Sequence, residues 1–181
     1  MNRYLIAFFL IVSTCFSACR EDDVEPEQNK VKKITEQIAT YKQKVIDFTG
    51  RTSQAGKVTG YFDGNELKLA MSVTNTQRGG RNDEYFFHNN KLIAVKQEEY
   101  NYNQPRYLTK EVAATTGDSV WFDESKTTMS ASWCYFYSGH MVKWLDKNNK
   151  VMSEADPRFD ELNDKLLQDA EKLKQMLFNQ K

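Results

Sequence analysis

Between residues 61 and 141 the chain states one phrase three times: two aromatics, one variable residue, two turn formers, one polar or histidine residue, then Leu or Met. The copies are Tyr61-Phe62-Asp63-Gly64-Asn65-Glu66-Leu67, Phe86-Phe87-His88-Asn89-Asn90-Lys91-Leu92 and Tyr135-Phe136-Tyr137-Ser138-Gly139-His140-Met141. A pair of turn-forming residues between short aromatic and aliphatic runs is the sequence signature of a β-hairpin. Three such hairpins in succession restrict the middle of the chain to an antiparallel meander.

Placing the turns at Gly64-Asn65, Asn89-Asn90 and Ser138-Gly139 sets an expected register. In the first hairpin Asp63 faces Glu66, Phe62 faces Leu67, Gly60 faces Leu69 and Val58 faces Met71. That gathers Val58, Phe62, Leu67, Leu69 and Met71 on one face, and a slip of one residue would move them all to the other. In the second, Phe87 faces Leu92 and Tyr85 faces Ala94. Its opposite face also carries Phe86, Ile93 and Val95, so this hairpin is expected deeper inside the sheet. In the third, Phe136 faces Met141 and Cys134 faces Lys143, leaving Trp133, Tyr135, Tyr137 and Trp144 together on the opposite face.

Helical periodicity flanks the meander. Val31, Ile34, Ile38, Tyr41, Val45 and Phe48 alternate spacings of three and four until Gly50, predicting an amphipathic helix from Lys30. Asp156-Pro157 is a helix start, and Phe159, Leu162, Leu166, Ala170, Leu173 and Leu177 form the stripe that follows it. Packing on the chain's own sheet explains both stripes better than a partner or a membrane surface. Residues 51–56 and 76–83 read as loops, with Gly79-Gly80 between two arginines too weak a pattern for a phosphate cradle. Tyr107 to Val112 and Ser119 to Asp123 read as strands around a turn at residues 115–118. The expected fold is α+β: a curved antiparallel sheet of seven or eight strands flanked by an N-terminal and a C-terminal amphipathic helix.

The N-terminus points to export. Arg3 precedes an apolar run from Tyr4 to Phe16, too short for a stable membrane span and of signal-peptide length. It ends in Phe16-Ser17-Ala18-Cys19, which resembles the lipobox of bacterial lipoproteins, with Phe16 where Leu is usual and Cys15 offering a poorer second site. The resemblance implies cleavage after residue 18 and lipidation of Cys19 by acyl groups such as palmitate. Arg20-Glu21-Asp22-Asp23 is similar to the acidic tag of surface-exported lipoproteins of Bacteroidota. The hairpin phrases resemble those of small bacterial lipoproteins in which Tyr-Phe-x-Asn-Gly-Lys-Leu recurs, which implies kinship of fold and no activity. The expected organisation is a signal peptide over 1–18, a lipidated tether over 19–29 and one domain over 30–181, held at the outer membrane through the lipid. Each buried methylene contributes about 0.8 kcal/mol, so several acyl chains anchor a protein durably.

Of three cysteines only Cys134 would remain in the mature domain, so no internal disulfide supports it. Charges balance at 25 basic against 25 acidic residues, which argues against nucleic-acid binding. His88 and His140 sit beside turns without further ligands at metal-site spacing, Cys134 lies between aromatics as a buried thiol would, and no nucleophile or phosphate motif occurs. Neighbouring carboxylates such as Glu98-Glu99 and Asp123-Glu124 diverge on a strand. No catalytic residue, metal or cofactor is therefore expected. The candidate ligand-binding residues are Trp133, Tyr135, Tyr137 and Trp144, since rigid aromatics dominate recognition of proteins and stacked sugars. Either a terminal helix covers them as a second core layer, or they stay exposed as a site. The function expected is a non-enzymatic envelope module binding a protein or glycan, with an envelope hydrolase or hydrolase inhibitor as the alternative.

Overall fold

All three hairpins form, and each carries a bulge at the same point of its phrase. In the computed structural model, which describes residues 24–47 and 55–179, they are built from β2 (Ala55–Asp63) with β3 (Glu66–Asn75), β4 (Gly79–His88) with β5 (Lys91–Asn101), and β6 (Thr128–Tyr137) with β7 (His140–Leu145). The expected signal peptide, Cys19, Phe48 and Gly50 lie outside the described residues. Strand β1 (Lys42–Asp47) precedes the hairpins, and the seven strands follow sequence order, β1 to β7, in one antiparallel sheet. In the turns Asn89 and Asn90 have φ of +50° and +59°, and Ser138 and Gly139 have +50° and +85°, the left-handed pair that a type I′ turn demands.

Phe62↔Leu67, Phe87↔Leu92 and Phe136↔Met141 pair as the turns dictate, but the next pairs are Tyr61↔Leu69, Phe86↔Ala94 and Tyr135↔Lys143. One extra residue, Lys68, Ile93 or Val142, is accommodated each time on the second strand. The expected Gly60–Leu69, Val58–Met71, Tyr85–Ala94 and Cys134–Lys143 pairs are thus replaced by Gly60↔Ala70, Val58↔Ser72, Tyr85↔Val95 and Cys134↔Trp144. Leu69 and Met71 leave the face they were expected to share with Leu67.

The bulges serve a sheet that is covered on both faces. On one, Phe87, Leu92, Val95, Cys134, Phe136 and Leu67 pack beneath helix α3 (Pro157–Asn179), which contributes Phe159, Leu166, Ala170, Leu173 and Leu177. On the other, Leu69, Phe86, Ile93, Ala94 and Tyr135 pack beneath helix α1 (Glu25–Glu36), which contributes Val31 and Ile34. Adjacent apolar residues such as Phe86-Phe87 and Ile93-Ala94-Val95 are what a doubly covered strand requires. At roughly 1.5–3 kcal/mol per buried large apolar side chain, the two layers together are the main stabilising term.

Three expectations are corrected. The N-terminal helix is shorter and earlier than its stripe: it starts at Glu25, inside the stretch expected as tether, and ends at Glu36. Tyr41 onward is extended because β2 offers an edge, and backbone pairing with it overrides the helical spacing. The strands expected around residues 107–123 are instead helix α2 (Lys110–Thr116), capped by Thr109 Oγ1 on Val112 N–H and ended by Gly117 at φ +77°, then irregular chain. Residues 79–83, expected in a loop, begin β4. Among the described residues no helix is long and apolar enough to cross a membrane.

Candidate binding surface

The four predicted aromatics do not form one surface. Trp133 and Tyr135 lie on the α1 face, their rings parallel at 5.8 Å, with Phe86 stacked 6.1 Å from Trp133 and Lys96 Nζ 5.8 Å from its ring. Tyr135 is buried under α1, where Gln28 hydrogen-bonds its hydroxyl and burial holds its pKa above the usual phenol value. These two residues complete a core layer. Tyr137 stands 62% exposed at the end of β6. Trp144 lies on the other face, because the extra residue Val142 makes it the partner of Cys134, and there it packs 6.5 Å from Phe159 of α3.

Trp144 nevertheless borders a cleft. Helix α3 rests on the sheet with its first turn against this indole, and the strands beyond it are uncovered. The floor is made by Ser130 and Ser132 of β6 and by Gln97 and Glu99 of β5, and the rim by Trp144, Asp146 and Arg158. The serines are short, so the floor lies low and the cleft measures about 350 Å³. Arg158 lies 5.6 Å over the Trp144 ring and is fixed by Asp156, which accepts Arg158 Nη2 at 2.6 Å and Nε at 2.9 Å while its Oδ1 caps the helix at Arg158 N–H. The Arg158 guanidinium and the cap hold the Asp156 carboxyl down to about 2. The wall is an indole with an ion-paired guanidinium laid over it, above a floor of hydroxyl, amide and carboxylate groups.

Beside the cleft, Arg81 Nε grips both oxygens of Asp83 at 2.8 and 2.7 Å, and Arg81 Nη1 lies 3.8 Å from Glu99 Oε1. Burial raises the Asp83 pKa against the pull of Arg81, and Gln97 supplies a further hydrogen bond. Across the sheet, Glu98 gathers Lys96 at 2.5 Å, Tyr100 at 3.0 Å and Asn82 at 3.3 Å. Burial alone would raise Glu98, but these donors together hold it low. Such cross-strand ladders rigidify the sheet, although the buried Asn82 Oδ1 has no hydrogen-bond partner among the described residues. The Cys134 thiol is buried and pushed up to about 12, which leaves no thiolate for nucleophilic work. His88 and His140 flank turns, and among the described residues no group of three His, Cys, Asp or Glu side chains converges as a metal would need.

Trp144 alone of the predicted set borders the cleft. The residues that sequence reasoning missed are Gln97, Glu99, Ser130, Ser132 and Arg158. Their signal was polar alternation, at 97 and 99 and at 130 and 132, on the face where Val95 and Cys134 are core. It becomes readable only once the bulge is known. Compared with family models, curated proteins and solved structures, the chain matches none of them.

Proposed function

We propose that this protein is a lipid-anchored component of the cell envelope that binds a glycan, or a polar segment of an envelope protein, in the cleft beside Trp144 and catalyses no reaction on it. The observation that carries the reading is the cleft itself: one aromatic wall, a fixed guanidinium, and short hydroxyl and amide side chains on a rigid sheet floor. Stacking plus several directed hydrogen bonds is what a sugar or a polar peptide needs. Of the carboxylates that line it, Asp146 accepts the backbone N–H groups of Asn148 and Lys150, and Glu99 lies 3.8 Å from the Arg81 guanidinium.

Lipidation at Cys19 rests on the lipobox-like sequence. If Cys19 is the anchor, the tether is short. Val24 is 3% exposed within the α1 layer, and five residues lead to it from Cys19, which span at most ~18 Å. The start of α1 would then lie close to the membrane, with the cleft on the opposite face of the sheet and open to ligand.

The test uses the protein with Cys19→Ser, which abolishes acylation, on an array of envelope oligosaccharides and peptides. Ser132→Trp fills the floor of the cleft, beside Trp144 and Leu162 at the margin of the α3-side core. Wild-type binding that Ser132→Trp weakens by about tenfold or more, ~1.4 kcal/mol, at unchanged thermal stability supports the reading. Equal binding by both proteins removes it.

A further inference from the structure

The side chains on the floor of the Trp144 cleft form a grid. Gln97 stands opposite Ser132 and Glu99 opposite Ser130 across β5 and β6, and all four line the cleft. Opposed side chains in an antiparallel pair stand about 5 Å apart at their Cβ atoms, and alternate residues along a strand about 7 Å apart. Two hydroxyls along β6 therefore face an amide and a carboxylate along β5.

Glu99 has the most hydrogen-bonding capacity to spare. Its side chain is 59% exposed, and Arg81 Nη1, 3.8 Å from Oε1, is too far for a hydrogen bond. Among the described residues neither oxygen accepts one. Asp146, the other carboxylate of the lining, is committed: its Oδ1 accepts Asn148 N–H at 2.8 Å and Lys150 N–H at 2.9 Å. Gln97 is engaged by Asp83. Two oxygens side by side suit a ligand that offers two adjacent donors. Neighbouring hydroxyls on a sugar ring are such a pair.

Charge narrows the class. Of the cations on the lining, Arg158 is gripped by Asp156 in two hydrogen bonds and Lys147 adjoins the Asp146 carboxylate. An anionic sugar would bring its charge over Glu99, whereas a neutral one brings only hydroxyls. A peptide is the competing occupant. Strand β6 pairs with β7 only from Trp133 to Tyr137, so residues 128–132 have no strand on that side among the described residues, and strand addition could occur there. A strand added at that place would lie in the plane of the sheet, about 10 Å from β5, and leave Glu99 unused. Engaging Glu99 takes a ligand that lies over the face.

We propose that the ligand of the cleft is a neutral glycan and that Glu99 is its specificity-determining residue, accepting hydrogen bonds from two adjacent hydroxyls of one sugar ring. This rests on the reading of the cleft as a binding site and names the group within it that selects the ligand.

The test titrates the full chain with Cys19→Ser, by calorimetry, with cellohexaose, maltohexaose and mannohexaose, neutral sugars that all carry adjacent hydroxyls. At least one is expected to bind, and Glu99→Gln to weaken that binding about tenfold or more, as loss of a charge-assisted hydrogen bond does, at unchanged Tm. Periodate cleaves the bond between adjacent hydroxyl-bearing carbons, so prior oxidation of the sugar is expected to abolish binding with no change to the protein. Equal binding by wild type and Glu99→Gln, while Ser132→Trp still blocks it, overturns the role of Glu99 and leaves the cleft as the site. Equal binding by all three proteins removes both. Binding by none of the three sugars, by a polar peptide in their place, or more tightly by the anionic oligogalacturonate overturns the neutral-glycan assignment.

Discussion

Gly60 lies under the final turn of α3, where a Cβ would come within 2.8 Å of both Leu177 Cδ2 and Phe62 Cε2. Leu177 is 1% exposed, and both its isobutyl end and the Phe62 ring must shift to admit the methyl. Gly60→Ala is therefore expected to destabilise the protein by about 1–3 kcal/mol through overpacking, read as a lower urea midpoint. An unchanged midpoint would mean that α3 docks less tightly than described. Gly79 is held for a harder reason, since its Cβ would fall 2.1 Å from the Tyr100 carbonyl oxygen. Neither glycine announces its role in the sequence. Gly60 reads as an ordinary strand residue opposite Leu69, and only the long-range approach of Leu177 explains it. Phe62, Phe87 and Phe136 were legible as one core face because each sits at the turn-proximal end of its hairpin, before the bulge intervenes.

Helix α3 was legible from end to end, because its stripe and its Asp156-Pro157 start are local signals and the helix needs no partner to define its period. Its cap also carries a pH dependence. The Asp156 carboxyl lies at about 2 when folded, below its ordinary value, so its contribution to stability is complete above the ordinary carboxylate range. As pH falls from about 4 towards 2, protonation removes it. Thermal unfolding of Asp156→Asn is expected to begin below wild type at neutral pH and to show a shallower loss of Tm across that window. Parallel curves would contradict the assignment of Asp156 as the fork that fixes Arg158. The elements that sequence reading missed failed for physical reasons. Residues 38–47 keep helical spacing but lie beside an open strand of β2, and pairing there outweighs local propensity. Thr109 and Gly117 are proper start and stop signals for α2, obscured by the β-branched residues between them.

At the scale of the whole molecule, one extra residue per hairpin converts a meander with a single apolar face into a sheet with two, each closed by its own helix. The phrase that repeats in sequence shows where the hairpins are, whereas the bulge that repeats in structure determines which residues share a face. This is why the aromatic surface expected from Trp133, Tyr135, Tyr137 and Trp144 divides, with Trp133 and Tyr135 joining a core and Trp144 turning to the cleft. A regular register is the only one that sequence alone can supply, since nothing in Lys68, Ile93 or Val142 marks them as the extra residue. The central claim, that a ligand is bound on the α3 face beside Trp144, is tested most directly by amide proton–nitrogen correlation spectra of the Cys19→Ser protein during titration with soluble envelope oligosaccharides. The account predicts concerted shifts of the Trp144 indole N–H, the Gln97 side-chain amide and the backbone amides of Ser130 and Ser132. Shifts confined to Trp133 and Tyr137, or none for any oligosaccharide or polar peptide of the panel, would contradict it.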